Sequence, residues 1–239
     1  MPKFFCDNVT DEKAYINGTD AVHIGRSLRM KIGDEITVCS NGIDYFTAIE
    51  SISDEMVICK VLYSQPSETE PNIKLTLFQA MPKSDKLEFI VQKAVELGAY
   101  KIVPIMTARC ISRPDKKSFA KKRERLQKIA LSAAKQCGRG IVPEIAEISD
   151  IDDCITQIKE MDLGLMCYEK GGKSFGDAGL KPHKNIGLII GSEGGFEKTE
   201  AERFISSGIT PIGLGDRILR CETAPLAAIS IIMHLTGNM

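Results

Sequence analysis

The sequence predicts an α/β protein in two parts: a small β-barrel, then a larger domain built on a mostly parallel sheet. Three observations lead there. The 239 residues are 43% hydrophobic and 26% charged, which suits a globular chain with room for two cores and excludes a fibre, a coiled coil or wholesale disorder. Short β-like runs crowd the first third of the chain, whereas strands alternate with helices in the rest. Between them lies Ser64-Gln65-Pro66-Ser67-Glu68-Thr69-Glu70-Pro71-Asn72, a polar stretch with two prolines that suits a linker. The domains are accordingly set at 1–68 and 72–239.

In the first part, strands are expected at Phe4 to Cys6, Glu35 to Cys39, Tyr45 to Ile49 and Met56 to Leu62, with a short helix from Asp20 to Met30. Gly33-Asp34 marks a turn, and Asn41-Gly42 between two β-like runs is a type I′ hairpin signal. In the second part, strands are expected at Ile73 to Ala80, Lys101 to Ile105, Glu144 to Ile148, Leu163 to Tyr168, Ile186 to Ile190 and Thr210 to Leu214. Helices are expected at Asp85 to Leu97, Ser118 to Cys137, Ile151 to Glu160, Lys198 to Ser207 and Thr223 to Leu235. Parallel strands need crossover connections, usually helices, so this alternation argues for a parallel sheet covered on both faces. Such sheets bind ligands at the carboxyl ends of their strands.

Several function classes drop out early. No apolar run reaches the roughly 18 residues of a membrane helix, and Met1-Pro2-Lys3-Phe4-Phe5-Cys6-Asp7 has no signal-peptide character, so the expectation is a cytoplasmic protein without a membrane partner. The eight cysteines are scattered, without a Cys-x-x-Cys pair and with mostly apolar neighbours, and read as buried thiols of a reducing compartment. Three distant histidines, His23, His183 and His234, offer no metal-ligand spacing. No metal is expected. The net charge of -1 conceals a strong asymmetry: Lys101 to Arg139 holds twelve basic residues against Asp115 and Glu124, a local +10, leaving -11 on the remainder.

Three features could carry chemistry. The run Ile186 to Ile190 leads straight into Gly191-Ser192-Glu193-Gly194-Gly195-Phe196, where three glycines allow a ligand to approach the main chain closely. This is neither the dinucleotide fingerprint nor a P-loop, and Glu193 would repel an anion cradled there. Second, Leu214-Gly215-Asp216-Arg217-Ile218-Leu219-Arg220-Cys221-Glu222-Thr223-Ala224-Pro225 follows the last strand, at the end where active sites gather. The alternative is that Arg217, Arg220 and Glu222 pair with one another and cap the next helix, with Pro225 in its permitted first turn. Third, the helix near Ser118 to Cys137 sets Lys121, Arg125, Lys128 and Lys135 on one face, with Arg113, Lys116 and Lys117 upstream and Arg139 downstream. Almost free of acidic partners, this stripe is the footprint of a phosphate-backbone binder.

Gly-x-Glu-Gly-Gly-Phe, followed about twenty residues later by Leu-Gly-x-Arg-Ile-Leu-Arg-x-Glu-Thr-Ala, resembles the RsmE-like family of bacterial 16S ribosomal RNA uridine-N3 methyltransferases, in the SPOUT superfamily. The resemblance extends over His23 to Arg29, Lys83 to Leu97 and Ala133 to Pro143. It implies an N-terminal PUA-like β-barrel that binds RNA and a C-terminal SPOUT domain with a trefoil knot. It further implies S-adenosylmethionine as cofactor, a homodimer formed by the knotted domains, and 16S rRNA in the assembled small subunit as substrate. Carried over residue by residue, cofactor contacts fall on Leu165, Tyr168, Gly191, Ser192, Glu193, Gly194, Gly195, Leu214, Gly215, Ile218 and Leu219. Ser192 stands where the family usually has proline, Cys221 where threonine is common, and Lys3 where arginine is frequent.

In methylation at uracil N3, negative charge spreads onto O2 and O4 as the proton leaves, and a guanidinium aimed at those oxygens would stabilise it. Arg220 is the first candidate and Arg217 or Arg139 the next, with Glu222 orienting the arginine or assisting proton removal. RNA contacts are expected from Lys3, Arg26, Arg29, Arg113, Lys121, Arg125, Lys128 and Arg139. Two competing readings are a non-catalytic RNA-binding or ribosome-assembly factor on the same fold and a nucleotide-phosphate enzyme, the latter disfavoured by Glu193 and the missing Lys-Ser/Thr.

Overall fold

The computed structural model describes residues 1–239, with the side chain of Lys116 outside the described set. The chain forms two compact units, 1–70 with 134–142, and 71–133 with 143–239. Among the described residues no helix is long and apolar enough to cross a membrane.

In the first unit the strands are β1 (Lys3–Phe5), β2 (Lys13–Asn17), β3 (Glu35–Ser40), β4 (Ile43–Ile52) and β5 (Met56–Pro66). They form a sheet in the order β1-β3-β4-β5-β2, antiparallel except for the β1–β3 pair. The sheet curls into a half-barrel, the form the expected PUA-like β-barrel takes here, with an isolated bridge from Val9 to Ala14 between the chain after β1 and β2. β1 and β2 do not pair with each other, and strands of three and five residues offer too short a ladder to close a cylinder. Register shifts at Phe46/Thr47 and Ile49/Ser51 bend β4 instead. Asn41 and Gly42 take φ of 50° and 80°, the left-handed pair that a type I′ turn requires. Their hairpin is the one the sequence predicts.

β2 escapes the sequence reading because its buried positions, Ala14 and Ile16, are few and polar residues flank them. β5 runs to Pro66, so the stretch read as linker contributes its first residues to the sheet. The helix expected at Asp20 to Met30 is α1 (Thr19–Val22) followed by a π-helical turn, His23–Ser27. Phe4, Ile16, Ile24, Ile36, Val38, Ile49 and Val57 form the core of this unit.

The segment 134–142 joins this unit through an ion pair with a hydrogen-bonded base. Arg139, 3% exposed, donates to both carboxylate oxygens of Glu70 at 2.8 and 2.7 Å. The same carboxylate accepts the N–H groups of Gly140 at 2.7 Å and Ile141 at 3.2 Å. A Cβ on Gly140 would lie 2.3 Å from that of Ser67, so only glycine permits this approach.

The second unit holds β6 (Lys74–Ala80), α2 (Lys86–Glu96), β7 (Lys101–Ile105), α3 (Lys116–Cys137, whose last turn lies in the first unit), β8 (Glu144–Ile145), α4 (Ile151–Lys159), β9 (Leu163–Cys167), β10 (Asn185–Ile190), α5 (Lys198–Ser206), β11 (Thr210–Ile212) and α6 (Thr223–Leu235). Its sheet, in the order β11-β9-β10-β6-β7-β8, is parallel throughout. β8 and β11 are shorter than the sequence predicts. After Ile145 the chain leaves the ladder and returns only as an isolated bridge from Ser149 to Ile105. The sheet core is apolar: Leu75, Leu77, Phe78, Ile102, Val103, Leu165, Met166, Leu188 and Ile189 are fully buried.

Removing Glu70 takes the facing carboxylate from a buried guanidinium, so Glu70→Ala is expected to cost about 3 kcal/mol in urea unfolding. A loss under about 1 kcal/mol would mean that water screens the pair as it screens surface pairs.

Candidate active site

Parallel pairing brings the carboxyl ends of β9, β10 and β11 to one edge of the sheet, and the chain after each of them bounds a cavity of about 840 Å³. Ligand cavities commonly fall in this size range. After β10, Gly191 to Phe196 folds back on itself, with Gly195 N–H donating to Ser192 O at 3.0 Å. Gly195 has φ of 65°, and a Cβ there would lie 3.1 Å from the Glu169 carboxylate. The turn therefore needs glycine for both its backbone angle and its closeness to the loop after β9. Two side chains hold this turn from outside: Gln79 Nε2 donates to Gly191 O at 3.3 Å, and Arg109 Nη1 donates to Gly194 O at 2.8 Å.

Of the residues to which the sequence assigns cofactor contacts, Tyr168, Gly191, Ser192, Glu193, Gly194 and Gly195 line the cavity from the β9 and β10 loops. Leu214, Gly215, Ile218 and Leu219 line it from the β11 loop, as do Arg217 and Arg220. Leu165 does not reach the wall. It is fully buried within β9.

The charges of the β11 loop do not pair with one another. Arg217 and Arg220 are exposed and make no ion pair among the described residues. Glu222 occupies the N-cap of α6 without a side-chain cap bond, and its carboxylate lies 2.9 Å from Lys86 Nζ. Lys86 begins α2 and also reaches Glu193 at 3.3 Å. The sequence reading passes over Lys86, which is 107 residues from one partner and 136 from the other; a lysine in the first helical turn carries no local signal of such a role.

These contacts set the ionisation of the site. The Lys86 hydrogen bond keeps the Glu222 carboxyl below the ordinary range against a smaller desolvation effect. Burial pushes Glu193 up, but backbone donors, including Lys83 N–H at 3.0 Å, and Lys86 outweigh it, so that carboxyl is also lowered. Lys86 is raised, mainly by its hydrogen bond to Glu222. Burial first, then the hydrogen bond to Glu222, pushes the Cys221 thiol up to about 12. It is no nucleophile at neutral pH. Among the described residues, no cluster of three His, Cys, Asp or Glu side chains could hold a metal ion.

The residues assigned to RNA divide by what already holds them. Lys121 and Lys128 on α3, and Arg29 in the first unit, are exposed and make no ion pair among the described residues. Arg125 pairs with Glu88 at 2.8 Å, and Arg26 pairs with Asp54. Arg113 donates to the carbonyls of Thr107, Ala108 and Cys110. Lys3 is held at 2.8 Å by Asp44 and at 3.0 Å by Gly138 O, with 11% of its side chain exposed. Arg139 pairs with Glu70 at 2.7 Å. Lys116, counted with the basic stripe, has its side chain outside the described residues.

Residues 69–233 match an RNA methyltransferase domain family, and 16–62 match an RNA methyltransferase PUA domain family. The chain is 35% identical over 230 residues to "Ribosomal RNA small subunit methyltransferase E" of Bacillus subtilis, covering 92% of this chain and 90% of that one. It superposes on the crystal structure of a ribosomal RNA small subunit methyltransferase E from Neisseria gonorrhoeae bound to S-adenosyl methionine, with a TM-score of 0.88, 29% identity and 98% coverage of both chains. A Legionella pneumophila structure in complex with the bound cofactor SAM gives a TM-score of 0.87 at 29% identity, covering 98% of this chain and 97% of that one.

Lowered carboxyls stabilise the fold above their unfolded pKa, and that contribution is lost as pH falls through the folded value. The stability difference between wild type and Glu222→Gln in urea is therefore expected in full at pH 7 and should shrink progressively as the pH falls below about 4.3 and through the lowered folded pKa. An undiminished difference at pH 3 would contradict the ion pair.

Proposed function

The chain belongs to the ribosomal RNA small subunit methyltransferase E family, and from that membership we infer that it methylates 16S ribosomal RNA with S-adenosylmethionine as donor, at ring N3 of a uridine in the decoding region. The observation that carries this reading is the single cavity walled by both motif loops, Gly191 to Phe196 and Leu214 to Leu219. We extend it to the assembled small subunit as substrate, to action in the cytoplasm, and to a homodimer formed through a C-terminal trefoil knot.

The cavity suits the donor. Ser192 Oγ is buried there without a hydrogen-bond partner, and a side chain at Gly195 would fill the space beside Glu169. Carboxylates of Glu169, Glu193 and Asp216 stand in the wall beside the cations Lys86, Lys170, Arg217 and Arg220, so the lining offers partners to both charges of a zwitterionic amino-acid moiety. Tyr168, the glycines 191, 194 and 195, and Leu214, Gly215, Ile218 and Leu219 would hold the cofactor, with Leu165 supporting the strand beneath them. When bound, S-adenosylmethionine supplies an electrophilic methyl group on a sulfonium.

The protein's own task is alignment and charge. Methyl transfer is an in-line displacement, so fixing the uracil ring against the two loops supplies much of the rate. As N3 loses its proton, negative charge spreads onto O2 and O4. Arg220, exposed at the wall and not engaged in an ion pair, is the residue we assign to those oxygens, with Arg217 on the same loop as the second cation. Glu222, two residues beyond Arg220, is paired with Lys86, and its lowered pKa makes it a weak proton acceptor.

Outside the cavity, Lys121, Arg125 and Lys128 on α3 form the phosphate-binding face. Arg26, whose ion pair is solvent-exposed, and Arg29 extend the same role to the first unit, whereas Lys3, Arg113 and Arg139 shape the chain around their carboxylate and carbonyl partners.

Replacing one preorganised donor to a developing oxyanion costs on the order of 10²–10³ in turnover. Arg220→Ala is expected to lose that much kcat, with donor affinity in calorimetry unchanged; wild-type turnover at saturating donor and RNA would remove Arg220 from this role. Neutralising Lys121, Arg125 and Lys128 together should flatten the log-log salt dependence of RNA binding by about 2–3, at roughly 0.7–0.9 per lost contact. An unchanged slope would point to another surface.

A further inference from the structure

We propose that Lys86 is a positioning residue that joins the two loops of the cavity, so that closing the donor-binding turn and placing Arg220 are one event. The proposal rests on the reading that this cavity takes S-adenosylmethionine, and deepens it.

The geometry is a clasp with three elements. Lys86 stands at the start of α2, 32% of its side chain exposed, with its ammonium 3.3 Å from Glu193 and 2.9 Å from Glu222. Glu193 lies in the middle of the turn after β10, whereas Glu222 lies two residues beyond Arg220 in the loop after β11. Among the described residues, no hydrogen bond or ion pair runs directly between 191–196 and 213–222. Their link passes through this one ammonium.

Secondary contacts brace each arm. Lys83 N–H donates to Glu193 Oε1 at 3.0 Å, and Cys221 Sγ donates to Glu222 Oε2 at 3.2 Å and lies 3.8 Å from Lys86 Nζ. Without the lysine, two carboxylates that now share one cation are left as near neighbours of like charge. Like charges at such range repel, and among the described residues Glu193 in its turn and Glu222 at the N-cap of α6 share no other hydrogen-bond or ion-pair link. Loss of Lys86 therefore loosens both loops together, which a lysine serving only as a helix-surface charge would not do.

Four variants test this: Lys86→Met, Lys86→Arg, Glu222→Gln, and the double variant Lys86→Met/Glu222→Gln. In hydrogen exchange on the unliganded protein, Lys86→Met is expected to speed exchange in 191–196 and in 215–222 alike, with β6 and β7 unaffected. In calorimetry its Kd for S-adenosylmethionine should rise about tenfold, kcat should fall as Arg220 loses its placement, and Lys86→Arg should restore both. The double variant should bind the donor no worse than the weaker single one, because both remove the same link. Loosening of one loop alone, additive losses, or wild-type donor affinity in Lys86→Met would overturn the proposal. If Lys86→Met also exposes the sheet amides, Glu222→Gln decides by the same exchange test, since it opens the clasp from its other end. Failure of the wild type to bind S-adenosylmethionine would instead refute the functional reading, while the exchange comparison still decides the clasp.

Discussion

Everything at the site depends on strand polarity. Because β9, β10 and β11 all run in parallel, their carboxyl ends must emerge at the same edge, and the three following loops are forced together whatever their distance in sequence. The glycines of 191–196 exploit this proximity, since a Cβ at Gly195, whose φ of 65° already favours glycine, would press on the Glu169 carboxylate of the neighbouring loop at 3.1 Å. The sheet supplies the rigid part of the cavity, with Leu188 and Ile189 fully buried beneath the turn. The loops supply the part that can adapt.

Charge is distributed by the same economy of position. The +10 segment is not one uniform basic surface: Arg113 is bound by carbonyls, Arg139 by Glu70, Lys135 by Asp20 at 2.7 Å, and Arg123 by Glu147 at 3.2 Å. What remains for a polyanion is a shorter row on α3. In the cavity the pattern is reversed. Glu222 is claimed by Lys86, which leaves Arg217 and Arg220 without carboxylate partners in a place where unpaired cations would otherwise be neutralised.

The half-barrel shows how far local signals reach. Asn41-Gly42 identifies its hairpin correctly because a type I′ turn depends on two residues alone. Neither short strand reports how closely the two edges of the sheet, β1 and β2, approach each other; the isolated Val9–Ala14 bridge joins the chain after β1 to β2 only in the fold. β8 is overlong in the sequence reading for a similar reason: the run from Glu144 to Ile148 has β character, but a ladder needs a partner, and within this run only Glu144 and Ile145 pair with β7.

The sequence by itself determined the alternation of strands and helices, the glycine-bearing loops and the concentration of basic residues, since periodicity, turn chemistry and charge are properties of neighbouring residues. It was enough to point to the loops that line the cavity. Tertiary structure alone decided which charges are spent and which are open. It placed Lys86 on Glu193 and Glu222, Arg139 on Glu70 and Lys3 on Asp44. The physical reason is that an ion pair forms between side chains a few ångströms apart in space, and the chain brings those partners together only after folding.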